Sequence, residues 1–261
     1  MFTPKVDPRE SVLENGFFLV LEGLDGCGKS TQHSLLKTSL ASLPAGAHFF
    51  REPTARAAFE GWSREGARGT RPAPRAELDF FVEDRERHVR ATLLPALRAG
   101  KFAVGDRYIV SNVCYQGALG IPPAEILAMN LRRELPWPDL TVVLDLEVGE
   151  ALQRLEARRG ASPLSLYEKK ENLTKVKEIL DSLSFLPGVR RVSAKRSPSE
   201  IHREIWDLAA EAVASKEKAF YRHRPQPARP EERPSAFFRE GGEKRARERG
   251  ERERGIFFSS F

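Results

Sequence analysis

Gly23, Gly28, Lys29 and Ser30 are spaced G-x-x-x-x-G-K-S inside FFLVLEGLDGCGKST, residues 17–31. A loop running through Gly23, Leu24, Asp25, Gly26, Cys27 and Gly28 can wrap a nucleotide's phosphates in backbone N–H groups. Lys29 then reaches the β and γ phosphates, the Ser30 hydroxyl ligates Mg²⁺, and Thr31 continues the motif. Asp25 is the odd member, because a carboxylate beside bound phosphates is unfavourable unless it engages a hydroxyl or a metal. Phosphoryl transfer between anions also needs cations converging from several directions. Arg51, Arg85 and Arg107 supply them at strand ends or on a facing helix. Asp106, ending an apolar run, has the place of an acid that holds Mg²⁺ or its water shell; a salt bridge to Arg107 or Lys29 is the alternative.

These residues need a scaffold. Phe17 to Leu21 reads as a buried strand and the stretch from Lys29, with Leu35, Leu36, Leu40 and Leu43, as a helix whose positive end faces the loop. Ala47 to Phe50 is a short strand stopped at Pro53. From Arg75, apolar residues recur at helical spacing as far as a Gly100 cap, and Phe102 to Asp106 is a third strand. A helix over 123–135, a strand over Leu140 to Leu144, helices over 148–158 and 168–184, a strand over 189–193 and a helix over 198–215 complete the pattern. Such alternation predicts an α/β, three-layer P-loop NTPase fold, a five-stranded parallel sheet flanked by helices.

Charge separates the body from the end of the chain. The net charge is +6 over 261 residues, yet residues 215–261 hold 13 Lys and Arg against 8 Asp and Glu, leaving 30 against 29 for the rest. The expected domains are an N-terminal extension (1–15), a catalytic domain (16–215) and a low-complexity basic C-terminal tail (216–261) that is disordered. The tail's near-alternation of Arg and Glu argues against tight tracking of nucleic acid, since neighbouring opposite charges cancel within a Debye length of about 10 Å. The N-terminus has no apolar signal core, no run approaches a bilayer span, and Cys27 and Cys114 show no metal-ligand spacing. A cytoplasmic protein with no membrane contact is expected.

Read with the phosphate loop, REPT at 51, LDFFVEDRERH at 78, GDRYIVSNVCYQG at 105 and PDLTVVLDL at 138 resemble thymidylate kinases, over about residues 16–213 and in the right order. The resemblance implies transfer of the γ-phosphate of ATP to dTMP, with Mg²⁺, commonly in a homodimer. It implies that Arg85 and Arg107 hold the dTMP phosphate with Arg51, Glu52 and Pro53 nearby. Asp25 would meet the sugar 3′-OH, and Phe81 would stack on thymine where periodicity alone favours plain core. Ser111, Asn112, Tyr115 and Gln116 would line the base pocket, with Tyr115 closing on the sugar 2′ carbon. Gly26 stands where some members carry arginine, and the family then places arginines in a lid, here about 154–168. Arg154, Arg158 and Arg159 would close over ATP, with Arg158 catalytic beside Lys29, Arg107 and Asp25; for Arg159 a solvated helix end is an equal reading. Tyr167 and Glu168 match a pair near the dTMP sugar and the metal, Arg64 falls where a phosphate-binding arginine follows REPT, and Ser193-Ala194 matches a segment against adenine.

Two other classes stay open on the residues alone. A P-loop kinase for another nucleotide or nucleoside would keep Lys29, Asp106 and the lid arginines but need a different base pocket. A nucleic-acid- or partner-binding protein would act through the basic tail.

Overall fold

A computed structural model describes residues 15–55, 72–159 and 165–223. The first compact unit of the chain ends at His223. It contains five parallel strands, β1 (Phe17–Glu22), β2 (Ala47–Arg51), β3 (Phe102–Asp106), β4 (Leu140–Asp145) and β5 (Val189–Ser193), in the order β2-β3-β1-β4-β5. All residues of β1 and β3 are buried, while the edge strands β2 and β5 each bury a single residue below the surface. That is the division expected when helices cover both faces of a parallel sheet. Phe17, Phe18, Leu19, Val104, Val142 and Leu144 form the middle of the core.

Described helices are α1 (Lys29–Ser39), α2 (Pro74–His88), α3 (Leu94–Arg98), α4 (Ile109–Gly117), α5 (Pro123–Leu131), α6 (Val148–Arg159), α7 (Lys170–Ser182) and α8 (Pro198–His223). The helix expected from Arg75 onward is broken into α2 and α3 by a π-turn at Val89–Leu93. Pro95 at the start of α3 explains the turn, because it cannot donate to a carbonyl one helical turn back and the ladder must widen locally. The helix expected over 123–135 ends at Leu131, and the one expected over 168–184 divides into a 3₁₀ turn, Leu166–Glu168, and α7.

The last helix was expected to end near 215 and instead runs to His223. Lys216 explains the extension: its Nζ donates to Gly16 O at 2.9 Å and to Asp139 Oδ2 at 2.7 Å, tying α8 to the beginnings of β1 and β4. Asp139 also accepts from Phe18 N at 2.8 Å, so one carboxylate joins three segments.

Register now prepares the site. β1 pairs Leu21 with Asp106, and β2 pairs Arg51 with Asp106. The chain order reverses about β1, and ligands of open α/β sheets bind at the carboxyl ends of the strands beside such a point. There lie Glu22, Arg51 and Asp106.

Candidate active site

The phosphate loop is shaped by close backbone approaches. Gly23 has φ +135 and a Cβ there would lie 2.6 Å from Leu144 O, so the loop leaves β1 pressed against the end of β4. Gly28, at φ 104, precedes α1, whose first turn has no side-chain cap and no acidic residue. Its first N–H donors and the positive helix end are therefore left for an anion. Lys29 is buried and curls onto the loop, its Nζ donating to Gly23 O at 2.9 Å and Leu24 O at 2.8 Å. Residues Asp25 to Thr31 line the cavity, whereas the Leu24 side chain is core.

A thiol beside a helix N-terminus and Lys29 should be activated, but Cys27 is 1% exposed and burial pushes its pKa up, against the pull of Lys29.

At the expected metal position, Asp106 pairs with neither Arg107 nor Lys29. Its carboxylate lies 2.6 Å from Arg51 Nη2, which also donates to Ser30 Oγ at 2.7 Å, while Ser30 Oγ and Asp106 Oδ2 are 3.5 Å apart. Arg51, expected beside the dTMP phosphate, is thus a cation seated between the two expected Mg²⁺ ligands. The pair of oxygens suits a cation, and hard oxygen donors suit Mg²⁺. Glu168, the third expected ligand, lines the same cavity, but its Oε2 accepts from Ser165 N at 2.9 Å and from Ser165 Oγ.

Arg107 centres the opposite wall. It has φ 77, a conformation that costs a non-glycine residue about 1–3 kcal/mol and persists only where its surroundings dictate it. Its guanidinium donates to Asp25 Oδ1 at 2.6 Å, to Ser111 Oγ at 2.9 Å and to Tyr115 Oη at 3.2 Å, and Tyr115 Oη donates to Asp25 Oδ2 at 2.9 Å. Burial alone would raise the Asp25 pKa, but Arg107 and Lys29 outweigh it and lower the carboxyl to about 2. Asp25 offsets the burial of Arg107, whose pKa stands well above the ordinary value.

Arg85 does not sit in that group. Its Nε donates to Glu52 at 2.8 Å, Nη1 to Asn112 at 3.1 Å and to Asn130, and Nη2 to Tyr108 O at 3.3 Å. Its partners are thus residues around the expected base pocket, where Asn112 Nδ2 donates to Gln116 at 2.8 Å. Glu52 is buried against Arg85 and 3.6 Å from His88 Nδ1, and Pro53, after a cis peptide, lines the cavity. Phe81 is half-buried on the cavity wall, so it is not plain core.

Helix α6, whose last residues begin the expected lid, lies against the loop at Gly26, where a Cβ would stand 2.6 Å from Ala151 O. A side chain at position 26 and this approach of α6 exclude one another. Arg154 and Arg158 follow Ala151 on α6 and line the cavity; Arg158 is exposed, and Arg154 donates to Ala194 O at 2.9 Å, beside the segment expected against adenine. The Arg159 side chain, residues 160–164 of the lid, Arg64 and residues 224–261 lie outside the described residues.

The cavity of about 790 Å³ lined by these residues joins the loop, Arg107, the expected base pocket and the end of α6. Three buried carboxylates that no motif singles out support its walls from behind. Glu77 is buried and accepts from Gln116 Nε2 at 2.9 Å and from Tyr167 Oη, linking base pocket and lid. Asp84 holds the loop after Pro53 through Thr54 N at 2.6 Å, Thr54 Oγ1 at 2.7 Å and Ala55 N at 3.1 Å. Glu22 binds the start of α4. Each is a carboxylate in an otherwise buried position, which is the signal that could have revealed it.

The chain matches the thymidylate kinase family over residues 21–205. It is 36% identical over 190 residues to a thymidylate kinase of Desulfotalea psychrophila, covering 73% of this chain and 92% of that one. A thymidylate kinase of Xanthomonas campestris pv. campestris is 34% identical over 201 residues, 77% and 86% of the two chains. A probable thymidylate kinase of Thermococcus gammatolerans is 35% identical over 210 residues, 77% and 99%. With motifs, sheet order and loop geometry in agreement, this chain belongs to the thymidylate kinase family.

Proposed function

We propose that the cavity transfers the γ-phosphate of ATP to dTMP, giving dTDP and ADP. The observation that carries this reading is the Asp25–Arg107 pair, which joins the phosphate loop to the wall of the base pocket and so brings a donor side and an acceptor side together. ATP lies with its phosphates over residues 25–31 and its adenine toward Ala194. Lys29 leaves the loop carbonyls and moves its charge onto the transferred group.

The acceptor phosphate sits against Arg107, whose partners orient the guanidinium before substrate arrives. This is the preorganised charge that phosphoryl transfer rewards. Asp25 and Tyr115 take the sugar, with the Asp25 carboxylate as acceptor for the 3′-OH. Phe81 covers one face of the base. Arg85 has five N–H donors, and its four bonds leave one for a carbonyl of the base, next to Asn112 and Gln116. A base lacking complementary groups leaves these buried dipoles unpaired, which penalises it.

Ser30 and Asp106 would hold Mg²⁺, which would neutralise phosphate charge. Arg51 gives up this position and turns toward the acceptor. Glu168 lines the same cavity as the third proposed ligand and would give up its bonds to Ser165 on binding the metal. Arg158 closes from α6 over the phosphates. Among the described residues no helix is long and apolar enough to cross a membrane, and both cysteines are free and buried. A reducing cytoplasm and a homodimer complete the proposal; sedimentation tests the latter.

The deciding experiment is an ATP-coupled assay with dTMP, dUMP, dCMP and thymidine side by side. Preference for dTMP is expected. Turnover of thymidine or dCMP in its place overturns the acceptor assignment and favours a P-loop kinase of different specificity.

A further inference from the structure

Glu22 is the last residue of β1 and is 1% exposed, yet it is not among the described residues that line the main cavity. Its carboxylate reaches across to the beginning of α4. Oε1 accepts from Tyr108 N at 2.8 Å and from Ser111 N at 3.1 Å, and Oε2 accepts from Ser111 Oγ. Tyr108 is the N-cap of α4 and Ser111 is in its first turn, so an anion from β1 satisfies two of the helix's open donors at the positive end of its dipole.

The residue immediately before this cap is Arg107. Its backbone stands at φ 77 and its N–H donates to Leu21 O at 3.0 Å. Leu21 and Glu22, adjacent on β1, therefore hold residues 107, 108 and 111 from one side. The guanidinium completes the circuit, since Arg107 Nη1 donates to the Ser111 Oγ that itself donates to Glu22. The orientation of this one hydroxyl is set by the carboxylate: with its proton spent on Glu22, its lone pairs face Arg107.

We propose that Glu22 is a positioning residue for phosphoryl transfer, holding Arg107 in its left-handed backbone conformation and, through Ser111, aiming its guanidinium at the acceptor phosphate. The proposal rests on the function read above. Glu22 touches no substrate in it. Burial raises the Glu22 pKa, so keeping the anion inside does not add to stability at neutral pH. Glu22→Gln keeps the side-chain length and one carbonyl acceptor for the backbone pair, but it presents an amide donor to Ser111 and removes the charge facing Arg107.

The test compares wild type, Glu22→Gln, Ser111→Ala, Arg107→Ala and the double variant Glu22→Gln/Arg107→Ala. For Glu22→Gln the melting temperature should stay within a few degrees and the KM for ATP within about twofold, while kcat/KM for dTMP falls roughly tenfold or more, because small displacements of an aligned group are costly. The double variant should lose no more than Arg107→Ala alone, since both act through one group. A second readout is independent of turnover: in ¹⁵N-arginine spectra, the Arg107 Nε–H signal, identified by its absence in Arg107→Ala, should be sharp in wild type and shifted or broadened in Glu22→Gln. Kinetics within twofold of wild type, additive losses, or an unchanged Arg107 signal overturn the proposal. If Glu22→Gln does not fold, Ser111→Ala removes the relay without the cap and must show the same Arg107 shift. If wild type does not use dTMP, the functional reading fails, and the Arg107 signal still decides whether Glu22 positions it.

Discussion

Arg107 Nη2 lies 2.6 Å from Asp25 Oδ1, across 82 residues of sequence, and the two charges join the phosphate loop to the wall of the expected base pocket. Removing the cation should cost transition-state stabilisation without costing the core. Arg107→Ala and Lys29→Ala should each lower kcat with dTMP by about 10²–10³, a usual loss for one preorganised charge. Steady-state kinetics with circular dichroism in parallel checks this. Near-wild-type turnover in both variants contradicts the phosphate-transfer reading.

The same pair predicts an acid response. The folded-state pKa of Asp25, about 2, is depressed from 3.8, so its stabilising contribution is present above the ordinary value and is lost as pH falls from about 4 toward 2. Asp25→Asn should therefore flatten that part of the stability curve. Urea midpoints at intervals between pH 5 and pH 2 read it directly, and parallel curves for the two proteins refute it.

Arg51 stands between Ser30 and Asp106, the two proposed Mg²⁺ ligands, where its cation would compete with the metal. Arg51→Ala should strengthen the Mg²⁺-dependent part of ADP binding several-fold, because the displacement is no longer required. Calorimetric titration of ADP over a Mg²⁺ series shows whether the half-saturating metal concentration drops; an increase refutes the competition.

Arg158 is exposed on α6 and lines the cavity, so its loss should leave the fold intact. Arg158→Ala should reduce kcat more than it weakens dTMP, as expected of a group that engages mainly the transferring phosphate. Unchanged kcat with lowered melting temperature would make Arg158 structural and direct the search for the lid cation to Arg154 or Arg159.

Cys27 and Cys114 are 1% and 0% exposed, and burial raises both thiols above their ordinary pKa. Alkylation of the folded apoprotein at pH 8 should be at least tenfold slower than that of the urea-unfolded chain. Mass spectrometry of iodoacetamide labelling against time measures it, and fast labelling of Cys27 would show that the loop opens.

Lys216 marks how far the folded body extends. Ending the chain at Ser215 removes its bonds to Gly16 O and Asp139 Oδ2, and with them about 1–2 kcal/mol, whereas ending it at His223 keeps them. Thermal unfolding should separate the two truncations by a few degrees and leave kcat for dTMP within about twofold in both. Equal melting temperatures would show that Lys216 contributes nothing.

The phosphate loop, the five strands and the ends that carry Arg51, Asp106 and Arg107 were legible in the residue order, because buried parallel strands and a glycine-lysine turn leave local signals in hydrophobicity and spacing. Helix α4 was not legible. Every side chain from Ile109 to Gln116 is buried, so no polar face marks a helical period. Tertiary packing alone decided the partners of the charges. Asp106 met Arg51 through the β2–β3 register, and Arg85 joined Asn112 and Asn130 from three different helices. Lys216 reached Gly16 across 200 residues, and Glu22 capped a helix 86 residues away. A sequence pattern records whether a side chain is apolar and how often; which opposite charge a buried ion finds depends on three-dimensional proximity, because only a neighbour within hydrogen-bonding distance can offset its desolvation.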